Sequence, residues 1–235
     1  IDSDFLMYRI ENSRTFRDQI KYLHNNPDLP KDFFNDPERE MVQAAQEKIL
    51  LNMIDESEMG EDFKNSLLLN QDEPAIITFD GYIVNGNRRS AALKSLGNKF
   101  INCVVLPEGA TAKDYYTLEH LLQISETYKE EYHWVNELNN YYQGVDPKKF
   151  GYTRDEMAKL FRIRKSDLES KLRMKELVEE FLYWKEIPGQ YDYGKLDRAE
   201  QVFSVLEGAI KNIDNVNKRN ELVHAIFTYI EEPPA

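Results

Sequence analysis

The run from Pro74 to Gly97 constrains the fold more than any other stretch of the chain. Pro74-Ala75-Ile76-Ile77-Thr78-Phe79 is a short β-branched and aromatic segment, Asp80-Gly81 is a strong hairpin signal, and Tyr82-Ile83-Val84 is a second strand. Ala91, Ala92, Leu93 and Leu96 follow at helical spacing, and Gly97 is a natural C-terminal cap. Between strand and helix stands Asn85-Gly86-Asn87-Arg88-Arg89-Ser90. Gly86 lacks a Cβ, so it can take positive φ and let an anion approach the backbone. The open amides of the first helical turn, the two arginines and the Ser90 hydroxyl then make Asn85, Gly86, Asn87, Arg88, Arg89 and Ser90 candidate phosphate ligands. An ordinary strand-to-helix turn whose arginines pair with nearby carboxylates has the same spacing, so spacing alone does not separate the two.

A second constellation lies downstream. Thr153-Arg154-Asp155-Glu156 reads as a capping box, and Ser166-Asp167-Leu168-Glu169 repeats the device, so two short helices are expected on either side of the turn Phe161-Arg162-Ile163-Arg164-Lys165. Met157, Leu160, Phe161, Ile163, Leu168, Leu172 and Leu177 supply a shared apolar face, with small Ala158 at the crossing, which predicts a helix-turn-helix over about 153–177. From Lys148 to Lys175 there are ten basic residues against four acidic ones. The segment is locally +6 in a chain of net charge −12, leaving −18 outside it. An acidic bulk with one basic patch predicts oriented, salt-sensitive DNA binding through that patch. Arg162, Arg164, Lys165, Ser166, Ser170, Lys171 and Arg173 are the candidate groove and phosphate contacts. The alternative is a solvated basic helix pair that packs or binds an acidic protein surface.

Both stretches resemble the ParB and sulfiredoxin superfamily. The glycine, one residue, a double arginine and small helical residues after an Asp-Gly hairpin look like its nucleotide-phosphate box, and Met157 to Leu177 looks like the ParB helix-turn-helix, including the Leu172-Arg173 pair before Leu177. The resemblance implies an α+β fold, with a small mixed-sheet domain followed by an all-α helix-turn-helix region. It also implies a bound nucleoside triphosphate, CTP favoured, with Mg2+; DNA as partner; a homodimer; and Arg14 as an accessory nucleotide ligand. Four departures narrow it. Sulfiredoxin chemistry needs a cysteine where Asn87 stands, and the lone Cys103 lies elsewhere. The family's serine kinases need an acidic base, which the Asn87 amide is not. The stretch Leu122-Gln123-Ile124-Ser125-Glu126-Thr127 lacks the Glu-Asn pair and arginine associated with CTP hydrolysis, and Arg162 replaces the usual turn glycine. A phosphotransferase or nuclease on this fold, and an interaction module without nucleotide, remain as alternatives.

The rest reads as organisation. Three regions are expected: 1–110 with the nucleotide site, 111–190 helical with the helix-turn-helix, and 191–235 a C-terminal helical pair. Phe5 to Ile10 is a candidate first strand, a short helix begins near Thr15, and a long amphipathic helix opens at Asn35-Asp36-Pro37 and reaches about Asp55. Glu56 to Asn65 reads as a polar connection and Phe100 to Leu106 as the last strand. Helices are expected over Ala112 to Gln123, Lys129 to Tyr142, Leu196 to Asn212 and Asn215 to Ile230. Glu119, Gln123 and Glu126 share a helical face that suits either solvation or a metal-bound phosphate. Tyrosines 115, 116, 128, 132, 141 and 142 suit either base stacking or core packing. Four dispersed histidines and one cysteine make no case for zinc or an internal disulfide, and the single cysteine suits a reducing cytoplasm. No membrane span or signal peptide is read, and a start without methionine suits a fragment.

Overall fold

The computed structural model describes residues 1–11, 13–69, 71, 73–125 and 133–232. The chain divides into two compact units, Ile1–Ser125 and Glu126–Ala235.

The first unit is mixed. Its strands are β1 (Met7–Tyr8), β2 (Ala75–Ile77), β3 (Tyr82–Asn85) and β4 (Cys103–Val105), ordered β1-β3-β2-β4. Its α-helices among the described residues are α1 (Phe16–His24), α2 (Glu40–Asp55), α3 (Gly60–Leu69), α4 (Asn87–Ser95) and α5 (Ala112–Ser125). The predicted hairpin is β2 antiparallel to β3. Thr78 Oγ1 closes its turn by accepting the Tyr82 amide at 2.9 Å and donating to Asp80. β1 lies parallel to β3, and β4 parallel to β2.

β1 is shorter than the expected Phe5–Ile10 strand, for two reasons. Ser3–Phe5 is a 3-10 turn capped by Asp2. The Gln43 amide of α2 then takes the outward backbone of Tyr8, accepting its N–H at 2.7 Å and donating to its carbonyl at 3.0 Å. A side chain thus covers this edge of the sheet, where an unpaired strand would invite association.

The polar connection expected over Glu56–Asn65 is corrected: α3 forms there. Gly60 permits it, because a Cβ at that position would lie 1.9 Å from the Ile54 carbonyl oxygen at the end of α2. Leu67 then reaches the core beside Leu50, Ile54, Ile77, Ile83 and Leu93. Each fully buried aliphatic side chain of this kind contributes about 1.5–3 kcal/mol. Ala91 and Ala92, both wholly buried, let α4 sit close to the sheet. The first unit also takes in α5, which the division at residue 110 assigned to the helical region.

The second unit is helical among its described residues: α6 (Trp134–Val145), α7 (Arg154–Leu160), α8 (Lys165–Trp184), α9 (Glu200–Ile210) and α10 (Val216–Glu231). Of the helix expected over Lys129–Tyr142, residues 129–132 lie outside the described residues. α8 is central, packing on α6, α7 and α9. Its Phe181 ring meets those of Phe203 and Phe227 at 5.8 and 5.2 Å, and Trp134 Nε1 donates to the Leu196 carbonyl at 2.9 Å. Asn215 caps α10 through the Lys218 amide. Among the described residues, no helix is long and apolar enough to cross a membrane.

Candidate functional site

At the end of β3, Gly86 has φ +91° and stands as the N-cap of α4. A Cβ there would press on Ala75 Cα and Cβ at 3.3 Å, so both backbone conformation and space require glycine. Glycine brings no capping side chain, and the first closing bond of the helix is Ser90 N–H to the Gly86 carbonyl at 2.8 Å. The amides of Asn87, Arg88 and Arg89 therefore precede the helical ladder at the positive end of the helix dipole.

Two buried polar atoms in this turn lack a hydrogen-bond partner among the described residues: Asn87 Oδ1 and Ser90 Oγ. Asn87 is oriented by Nδ2, which donates to the Ile83 carbonyl at 3.3 Å, so its orphan atom is an acceptor. Leaving such atoms unsatisfied costs about 1–3 kcal/mol each, and native proteins keep few of them.

The arginines diverge. The Arg88 guanidinium lies 5.6 Å from the centroid of the Phe63 ring on α3. Arg89 turns the other way and donates to Glu73 twice, from Nη1 to the carbonyl at 3.0 Å and from Nη2 to Oε2 at 2.6 Å. For Arg89, the alternative of a carboxylate partner is thus realised. Asn85 is half-buried at the β3 end and pairs with Ile76.

Arg14 follows the other parallel strand, in the turn Ser13–Thr15. Because β1 and β3 run in the same direction, the segments leaving their C-terminal ends lie at the same end of the sheet, where α/β proteins commonly bind ligands. Thr15, wholly buried, anchors this segment: its Oγ1 accepts from Gln46 Nε2 at 2.9 Å, and Gln19 Nε2 reaches the Ile10 carbonyl at 2.8 Å. Arg9, also buried, pairs with Glu119 at 3.6 Å. Burial pushes the Glu119 carboxyl above the usual range, against the lowering effect of Arg9 and then Arg14. Sequence reasoning passed over this buried pair; its signal was a charged residue directly after an apolar strand. Glu119 is accordingly an arginine partner, and the Gln123 side chain and Glu126 of the suggested face lie outside the described residues. Among the described residues, no cluster of three or more His, Cys, Asp and Glu side chains is placed to hold a metal ion.

In the second unit the Thr153–Glu156 capping box forms, with Thr153 N–H donating to Glu156 Oε2 at 2.8 Å and Glu156 N–H to Thr153 Oγ1 at 3.2 Å. The second box does not. α8 begins at Lys165 with Arg164 as its N-cap, because Arg164 clamps Asp167 through two bonds of 2.9 Å and Glu169 pairs with Arg154 at 2.9 Å. The turn between the helices has the shape a glycine would give. Arg162 adopts φ +55°, and Ile163 N–H donates to the Ala158 carbonyl at 3.0 Å while Arg162 N–H donates to that of Lys159 at 3.2 Å. These two bonds make a Schellman cap.

The DNA candidates separate into two groups. Arg162, Arg164, Lys165 and Ser166 are exposed at the turn and the start of α8. Ser170, Lys171 and Arg173 are half-buried and engaged with carboxylates of neighbouring helices. Ser170 Oγ donates to Glu207 at 2.7 Å and Arg173 Nε to the same carboxylate at 2.5 Å, while Lys171 lies 3.5 Å from both Glu137 and Glu200. Lys175 is buried as well, hydrogen-bonded to Tyr191 Oη at 2.8 Å and paired with Glu179. Among the stacking candidates, Tyr116 and Tyr141 are buried, Tyr115 lies under Arg9, and Tyr142 is half exposed; Tyr128 and Tyr132 fall outside the described residues.

No protein-family model matches the chain. No curated protein matches it significantly.

Proposed function

We propose that this chain is a ParB-like DNA-binding protein whose DNA engagement or dimerisation is switched by a nucleoside triphosphate, CTP favoured, at the start of α4. The observation that carries the proposal is the uncapped first turn behind Gly86, held at φ +91° with Asn87 Oδ1 and Ser90 Oγ buried and unbonded. The first-turn amides, which precede the helical ladder, suit phosphate oxygens, Arg88 and Arg89 stand in the same turn, and Arg14 follows the parallel strand β1. An orphan acceptor beside an anion site asks for a donor that bare phosphate supplies poorly. A sugar hydroxyl, or water on a triphosphate-bound Mg2+, supplies it, and Asn87 Oδ1 is the atom that would hold it.

Arg162, Arg164, Lys165 and Ser166 form the DNA-facing set in this proposal, with Ser170, Lys171 and Arg173 holding α8 against α6 and α9. The dimer is assigned to α9 and α10, where exposed Val205 and Tyr229 border a groove of about 460 Å³ with Val202, Leu206 and Ile226. Fluorescence anisotropy of labelled duplex DNA, with and without CTP and Mg2+, tests the switch. A nucleotide-dependent change that disappears in the Arg88→Ala/Arg89→Ala variant supports it; DNA affinity indifferent to every nucleotide removes it.

One observation favours a second function, an interaction module without nucleotide: Arg89 already has a carboxylate, and Arg164 and Lys165 also face acidic partners.

A further inference from the structure

We propose that Glu73 is an internal anion occupying the phosphate subsite of Arg89, so that an incoming nucleotide must displace its carboxylate; this rests on the assignment of the α4 turn as a phosphate site. Arg89 Nη2 donates to Glu73 Oε2 at 2.6 Å, and Nη1 to the Glu73 carbonyl at 3.0 Å. The same Nη1 lies 3.7 Å from where a Cβ on Gly86 would stand, which puts the guanidinium against the N-cap glycine rather than out in solvent.

The two partners differ in exposure. The Arg89 side chain is 18% exposed, whereas that of Glu73 is 58% exposed, so the carboxylate is the partner with solvent to turn into. Pro74 follows Glu73 and restricts it to extended backbone, so the Glu73 carbonyl stays aimed at Nη1 while only the carboxylate need leave. Carboxylate and phosphate present oxygen pairs of similar geometry to a guanidinium. Glu73 Oε2 therefore marks a position that a phosphate oxygen takes in the bound state. Apparent affinity falls by the fraction of molecules in which the carboxylate occupies the arginine.

The test is calorimetric titration of CTP with Mg2+, and separately of inorganic tripolyphosphate, into wild type, Glu73→Gln and Glu73→Asp at constant ionic strength. Both variants should bind both ligands about 1.5- to fivefold more tightly than wild type, the range set by losing one partly exposed ion pair. Glu73→Asp keeps the charge and shortens the reach, so tightening in Glu73→Gln alone would make the effect one of net charge and overturn the proposal. An effect on CTP without one on tripolyphosphate would overturn the assignment to a phosphate subsite. Binding to all three proteins with equal affinity overturns the Glu73 proposal and leaves the nucleotide site standing. If neither ligand binds any of them, the site and the proposal fail together.

Discussion

Arg173 Nε donates to Glu207 Oε1 at 2.5 Å, and that carboxylate, 7% exposed, is held from its other oxygen by Ser170. A residue with the composition of a DNA contact therefore joins α8 to α9. Replacing Arg173 with alanine leaves a buried carboxylate without its cation, which should destabilise the chain by about 1–3 kcal/mol, below the value for a fully buried pair because Arg173 is partly exposed. Urea denaturation measures this. The matched variant Arg164→Ala, whose side chain is 83% exposed, should leave stability within about 0.5 kcal/mol of wild type while weakening DNA binding and reducing its salt slope.

Arg162 sits in the left-handed region at φ +55°. Placing an L side chain there costs about 1–2 kcal/mol, partly offset by the greater unfolded-state entropy of glycine, so Arg162→Gly should stabilise the second unit by about 0.5–1 kcal/mol. Thermal unfolding should show a higher midpoint. An unchanged or lower midpoint would mean that the guanidinium makes a contact worth as much as the strain.

Gly86→Ala tests the opposite case. Both the φ of +91° and the 3.3 Å approach to Ala75 oppose a methyl group, and together they should cost about 1–3 kcal/mol. Nucleotide binding should fall further than stability, since the first-turn amides shift with the cap.

The Glu119 carboxyl provides a pH signature. Burial raises it above its ordinary 4.5, with Arg9 and Arg14 opposing and Glu11 reinforcing. The folded chain thus holds this proton more tightly than the unfolded chain. The stability it contributes is fully present below about pH 4.5 and is lost as pH rises through the raised value. Glu119→Gln stays neutral throughout, so its stability relative to wild type should increase from acid pH towards neutrality. A relative decrease would show that the Arg9 ion pair outweighs burial.

What was legible in the sequence was local. The Asp80-Gly81 turn, Gly97 at the end of α4 and the Thr153–Glu156 box each depend on residues within a few positions, and each formed as expected. α3 escaped because its helical pair Phe63 and Leu67 is diluted by acids, and because Gly60, which resembles a loop signal, serves a close approach to Ile54. The second capping box failed for a related reason: Arg154 and Arg164 draw off Glu169 and Asp167. Farther apart still, Arg89 meets Glu73, Lys171 meets Glu200 and Arg173 meets Glu207. No periodicity encodes such pairs. A basic residue on a helix looks alike in sequence whether it faces DNA or a buried carboxylate.

The central claim is that the first turn of α4 holds a nucleoside triphosphate. Calorimetric titration of each of the four NTPs, with Mg2+, into the chain and its Arg88→Ala/Arg89→Ala variant tests it most directly. The account predicts saturable binding of one NTP, with CTP favoured, that the variant loses while remaining folded. Heats of dilution alone for all four, or binding undiminished in the variant, would contradict it.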